Sequence, residues 1–137
     1  MNLGYIFSTY EQNAYMTQPG SNLYELLRQN FEDIGVELVG IHAEGLLGIN
    51  TTRVPDNYNV AGANKNFLTR IPLSDTIKDA VTLMGYQTVS IVFADLYSSL
   101  QTGVCEGSYG QSACSVYTLF SDVAKYYIPY NCTPELI

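Results

Sequence analysis

The sequence contains no tryptophan and one histidine, and its 6 lysines and arginines stand against 13 aspartates and glutamates, a net charge of −7 over 137 residues. A binder of phosphate backbones needs clustered cations, so nucleic acid is excluded as a partner. The longest apolar runs are strand-length pieces such as Val89–Ala94, too short for a membrane span. Charged residues reach only 14% against 47% hydrophobic ones, which excludes intrinsic disorder. The three cysteines, Cys105, Cys114 and Cys132, are an odd number and form no closed disulfide set. Met1–Tyr5 shows neither a basic stretch nor a following apolar one, so no secretory signal is read there. The expected location is the cytoplasm, or a virion if the source is viral. What is abundant is tyrosine, with 12 residues, and a tyrosine-rich, lysine-poor surface suits association with other chains.

The length predicts one domain over residues 1–137. Leu3–Phe7 reads as a strand, and Glu11–Gly20 as a polar segment ending in a Pro-Gly turn. Ser21 or Asn22 caps a helix whose Leu23, Leu26, Leu27, Phe31 and Ile34 recur at helical spacing, and Gly35 stops it. Val36–Ile41 reads as a strand. Residues 43–66 are Gly- and Asn-rich and predict a long loop or projecting arm. Phe67–Ile71 is again a strand, and Ser74 caps a second helix carrying Ile77, Ala80, Val81 and Met84. Thr88–Phe93 alternates as a half-buried strand. Residues 101–111 read as a Gly-rich loop, and Ser112 opens a last helix with an apolar stripe from Ala113 to Tyr127. The predicted class is therefore α+β. It is a ferredoxin-like βαββαβ sandwich over residues 3–97, an antiparallel sheet with helices on one face, followed by a loop, C-terminal helix and tail over 98–137.

Pro19-Gly20-Ser21-Asn22-Leu23, then Leu26-Leu27, Gly35-Val36-Glu37-Leu38 and Ile41, resemble the start of an ACT regulatory domain. The long segment after residue 43 is similar to the loop of PII-type signalling proteins. The resemblance spans Leu3–Phe93 and implies the same ferredoxin-like topology, with a small metabolite bound near Pro19, Gly20 and Asn22.

Catalytic and metal chemistry find little footing. His42-Ala43-Glu44 matches the His-x-Glu of zinc deaminases, but no Pro-Cys-x-x-Cys pair follows. Cys105, Cys114, Cys132 and His42 lack the close-spaced pairs of structural zinc sites. There is no Gly-x-Ser-x-Gly elbow and no phosphate-binding glycine loop. No catalytic residue, metal or cofactor is assigned. Arg53, Tyr58 and Lys65, on or beside the 43–66 arm, are candidates for contact with an anion or a partner. The expected function is that of a non-enzymatic assembly protein of the virion type, packing against copies of itself or other assembly proteins. The alternatives are an ACT/PII-like metabolite sensor with a small-molecule ligand, and an acidic inhibitor of a basic-surfaced protein.

Overall fold

The computed structural model describes residues 9–136, and the expected strand over residues 3–7 lies outside them. The Thr9 hydroxyl accepts the Gln12 N–H and opens α1 (Tyr10–Thr17), so most of the expected polar turn is helix. Ser21 caps α2 (Asn22–Asp33) by accepting the Tyr24 N–H. That helix ends as its sequence indicates. Gly35 takes φ +76°, its N–H donates to the Glu32 carbonyl, and the Val36 N–H reaches back 2.9 Å to that of Phe31, the bond pattern of a glycine-terminated helix. The expected strand over Val36–Ile41 does not form: the segment has no ladder, and Val39 is 94% exposed.

Residues 43–51 are two strands rather than an arm. β1 (Ala43–Leu46) pairs antiparallel with the last strand, β7 (Pro134–Leu136). β2 (Gly48–Thr51) is buried along its length. A loop over 52–67 leads to β3 (Leu68–Ile71), then α3 (Asp75–Leu83) capped by Ser74, then β4 (Gln87–Ser90), which lies parallel to β3. A single 3-10 turn at Phe93–Asp95 opens into α4 (Leu96–Thr102). β5 (Gly107–Gln111), α5 (Ala113–Phe120) capped by Ser112, and β6 (Tyr126–Ile128) follow.

The ferredoxin-like sandwich is thereby overturned. The main sheet has five strands in the order β4-β3-β5-β2-β6, parallel from β4 to β5 and antiparallel from β5 to β6. Helices cover both faces. Ile77 and Val81 of α3 pack on Ile49, Phe67, Ile71 and Tyr109 on one side. Leu96 and Leu100 of α4 and Phe120 of α5 pack with Cys105, Val89 and Ile91 on the other. The difference originates in the glycine-rich stretch 101–111, whose second half is not loop but the central strand β5. A Cβ at Gly107 would lie 2.5 Å from the Asn50 carbonyl and 2.7 Å from the Phe67 ring, so glycine is what lets β5 slide between β2 and β3. The last helix stops at Phe120, and Tyr127, expected at its end, lies in the edge strand β6 (Tyr126–Ile128).

Candidate functional site

In open sheets with parallel strands, ligands bind beyond the carboxyl ends of those strands. Arg70 is the penultimate residue of β3. Its strand register runs through Ser108 on β5 and Asn50 on β2 to Tyr127 on β6, and through Val89 on β4. Registered partners share a sheet face, so Arg70, Ser108 and Asn50 form a polar row across three adjacent strands, on the face that α4 and α5 cover.

The row is buried and incompletely satisfied. Arg70 is 4% exposed, and its Nε donates to the Ile91 carbonyl at 2.7 Å, just past the end of β4. No carboxylate pairs with it among the described residues, where the ion pairs join Arg28 to Glu25 and Glu32, and Arg53 to Glu106. Burial draws its pKa below the usual arginine range. The same burial raises the pKa of the neighbouring Cys105 thiol, which keeps it from serving as a counter-anion. Asn50 is fully buried, and neither atom of its amide finds a hydrogen-bond partner among the described residues. The Ser108 hydroxyl has only a long 3.4 Å contact with the Tyr109 carbonyl. Tyr127 closes the row, its single hydroxyl proton shared between the Leu46 and Gln111 carbonyls at 3.0 and 3.1 Å. A forked cation beside an amide in a dry setting is the chemistry of carboxylate recognition.

Arg53, Tyr58 and Lys65 all lie on the 52–67 loop, and of these Tyr58 and Lys65 border one groove. Arg53 pairs with Glu106 at 2.7 Å, donates to the Asn66 carbonyl and lies 5.0 Å over the Phe67 ring. Lys65 is 1% exposed and its ammonium donates to the Val60 carbonyl. Tyr58, Val60, Lys65, Leu83, Met84 and Tyr130 border a groove of about 460 Å³ between that loop and α3. Pro19, Gly20 and Asn22 occupy the exposed turn between α1 and α2, with Gly20 at φ +87°. Cys105 and Cys132 are buried cysteines and Cys114 an exposed one, and no cluster of three metal-ligating side chains occurs among the described residues. Sequence reasoning passes over Arg70. The signal it offers is an arginine set between Thr69 and Ile71 in a strand pattern with no polar face to receive it.

The family model for bacterial extracellular solute-binding proteins, family 7, matches residues 1–135. No curated protein matches the chain. Among solved structures, the chain is similar to a TRAP periplasmic solute-binding protein from Haemophilus influenzae with bound L-gulonate (TM-score 0.74, 17% identity), covering 98% of this chain and 43% of that one. A TRAP protein from Sulfitobacter sp. NAS-14.1 with bound β-D-galacturonate gives 0.71 and 23%, covering 97% and 43%. One from Desulfovibrio salexigens with bound orotic acid gives 0.72 and 16%, covering 99% and 42%. The chain thus spans less than half the length of these neighbours.

These findings replace the ACT/PII resemblance. The Pro19-Gly20 turn joins helix to helix here, not strand to helix. They also overturn the virion-assembly, metabolite-sensor and inhibitor readings, together with partnership with copies of itself or other assembly proteins. Burial does not decide the tyrosine argument: Tyr24, Tyr86 and Tyr109 serve the core, while Tyr10, Tyr15, Tyr58, Tyr97, Tyr117 and Tyr126 are exposed; the family match is what overturns the assembly reading. The cytoplasmic or virion location yields to that of a family described as extracellular. The family binds solutes and is not one of enzymes.

Proposed function

We propose that this chain, which belongs to family 7 of the bacterial extracellular solute-binding proteins, takes part in binding a small organic carboxylate, with the Arg70 guanidinium as the anion's partner. The observation that carries the reading is Arg70 itself: buried, at the carboxyl end of a parallel strand, and without a carboxylate among the described residues. An isolated buried charge is costly unless a partner arrives, and a ligand carboxylate supplies both the charge and the bidentate geometry. The molecules held by the three solved neighbours, L-gulonate, β-D-galacturonate and orotic acid, are all carboxylic acids. In this reading the protein works outside the cytoplasmic membrane and hands its solute to the membrane component of a TRAP transporter.

Isothermal titration of the purified chain with L-gulonate, D-galacturonate and orotate, and with glucose as a neutral control, tests the reading. The acids bind and glucose does not. Arg70→Gln weakens acid binding by about tenfold to a hundredfold, the loss of a hydrogen bond to a charged group, and Arg70→Lys recovers part of it. Equal binding of glucose, or unchanged acid affinity in Arg70→Gln, sinks the assignment.

A further inference from the structure

The groove between the 52–67 loop and α3 has features of a ligand site that the Arg70 reading does not use. Its volume, about 460 Å³, falls within the roughly 300–1,000 Å³ of small-molecule sites. Val60, Ala61, Ala80, Leu83, Met84 and the rings of Tyr58 and Tyr130 make its walls mostly apolar. At its border lies Lys65, 99% removed from solvent by the 1% exposure of the whole residue. An ammonium carries three donors, and the acceptor found for this one is the Val60 carbonyl at 2.5 Å. No carboxylate pairs with it among the described residues. Asn59 and Tyr58 also line the groove, and the Tyr130 hydroxyl there is committed: it donates to the Tyr58 carbonyl at 2.6 Å and therefore accepts from Tyr86 at 2.9 Å.

The groove lies on the opposite side of the sheet from Arg70. Met84 and Tyr130 pack against the cluster holding Ile71 and Tyr109. Those residues alternate with Arg70 and Ser108 along β3 and β5 and so face the other way. A molecule here would not touch the polar row.

We propose that this groove is a second binding site, for a small carboxylate with a hydrocarbon body, whose anionic end takes the remaining donors of Lys65 while its chain lies along Val60, Leu83 and Met84. Charge and shape set the class. One buried cation asks for one anion, and mostly apolar walls with a committed Tyr130 hydroxyl suit a hydrocarbon body better than a polyhydroxylated one. The inference stands independently of the Arg70 reading.

Titration of the purified chain with hexanoate, hexan-1-ol and hexylamine tests it. Hexanoate binds, the alcohol binds more weakly and the amine not at all. Saturation with L-gulonate leaves the hexanoate isotherm unchanged, so failure of either site is separable from failure of the other. Lys65→Met weakens hexanoate by about tenfold or more. Because Lys65 is buried and its replacement disturbs the loop, Leu83→Glu serves as the second variant: Leu83 is 78% exposed, so the fold tolerates a carboxylate there, which repels hexanoate at the mouth. Hexan-1-ol binding as tightly as hexanoate, unchanged hexanoate affinity in both variants, or no hexanoate binding up to millimolar concentration each overturns the proposal.

Discussion

Glu106 ties the 52–67 loop to the first residue of β3, and removing it tests how that loop is held. One carboxylate oxygen accepts from Arg53 at 2.7 Å, and the other accepts the Leu68 N–H at 3.0 Å. Arg53 in turn donates to the Asn66 carbonyl at 2.7 Å, so a single side chain bridges both ends of the loop. The ion pair is partly exposed, with side-chain exposures of 46% and 33%. Screening therefore holds its share to about 0–1 kcal/mol. The amide bond to a charged acceptor is the larger part, about 1.5–3 kcal/mol. Glu106→Ala then costs about 2–3 kcal/mol, or roughly 5–12 °C in Tm for a domain of this size. Glu106→Gln keeps a neutral acceptor for Leu68 and costs about half as much. Thermal melts followed by circular dichroism at 50 mM and 1 M salt separate the parts, because salt erodes only the Coulombic one. If the Ala and Gln variants melt together, or if the Ala variant melts within a degree of the parent, the bridge is not what holds the loop.

The Tyr97 hydroxyl donates to the Asp122 carboxylate, and this bond, first among the causes, lowers the Asp122 pKa. A depressed carboxylate stabilises the fold above its unfolded-state value and loses that contribution as pH falls through the folded one; carbon-13 carboxyl titration shows Asp122 below the usual aspartate value, and Tyr97→Phe moves it up. Burial raises the pKa of Tyr86, Tyr109 and Tyr130. Their unfolded forms ionise first as pH rises past about 10, so chemical denaturation shows stability falling there, less steeply in Tyr86→Phe. Gly107→Ala forces a methyl against the Asn50 carbonyl and the Phe67 ring and costs about 1–3 kcal/mol in urea melts; a neutral result would mean that β5 is not wedged between its neighbours. Val39→Asp, at a position 94% exposed, shifts the same melts by less than about 0.5 kcal/mol, whereas a strand there would make it severe.

Three helices, α2, α3 and α5, were the readable part of the fold, because their signals are local, whereas α1 and α4 were not read as helices. Ser21, Ser74 and Ser112 each accept an N–H from the residue three places on, as N-caps do. Gly35 ends α2 in the left-handed region. The sheet was not readable in the same way. β2 and β5 carry glycine, asparagine, serine and glutamine where propensity asks for branched or aromatic residues. Both are nevertheless central strands, because close backbone approach at Gly107 outweighs the propensity. Parallel pairing of β3 with β4 and β5 is set by which strand enters the middle, and no residue-level pattern encodes that.

The polar row escaped for the same reason. Arg70, Ser108 and Asn50 are 38 and 58 residues apart along the chain and become neighbours only through the order β3-β5-β2. Once that order is known, Arg70 and Asn50 depart from what a buried strand should carry: among the described residues, a cation without an anion, and an amide without a partner. A single unsatisfied group is a local defect that evolution removes cheaply by an apolar substitution. Arg70 and Asn50 lie two strands apart on one face, beside the carboxyl ends of parallel strands, where a ligand supplies the missing partners. Separate mutation of the two separates these cases. If they serve one ligand, Arg70→Gln and Asn50→Leu raise stability or leave it unchanged while both lose acid binding. If they are independent flaws of the core, their effects on binding are nil, and Asn50→Leu alone stabilises the fold.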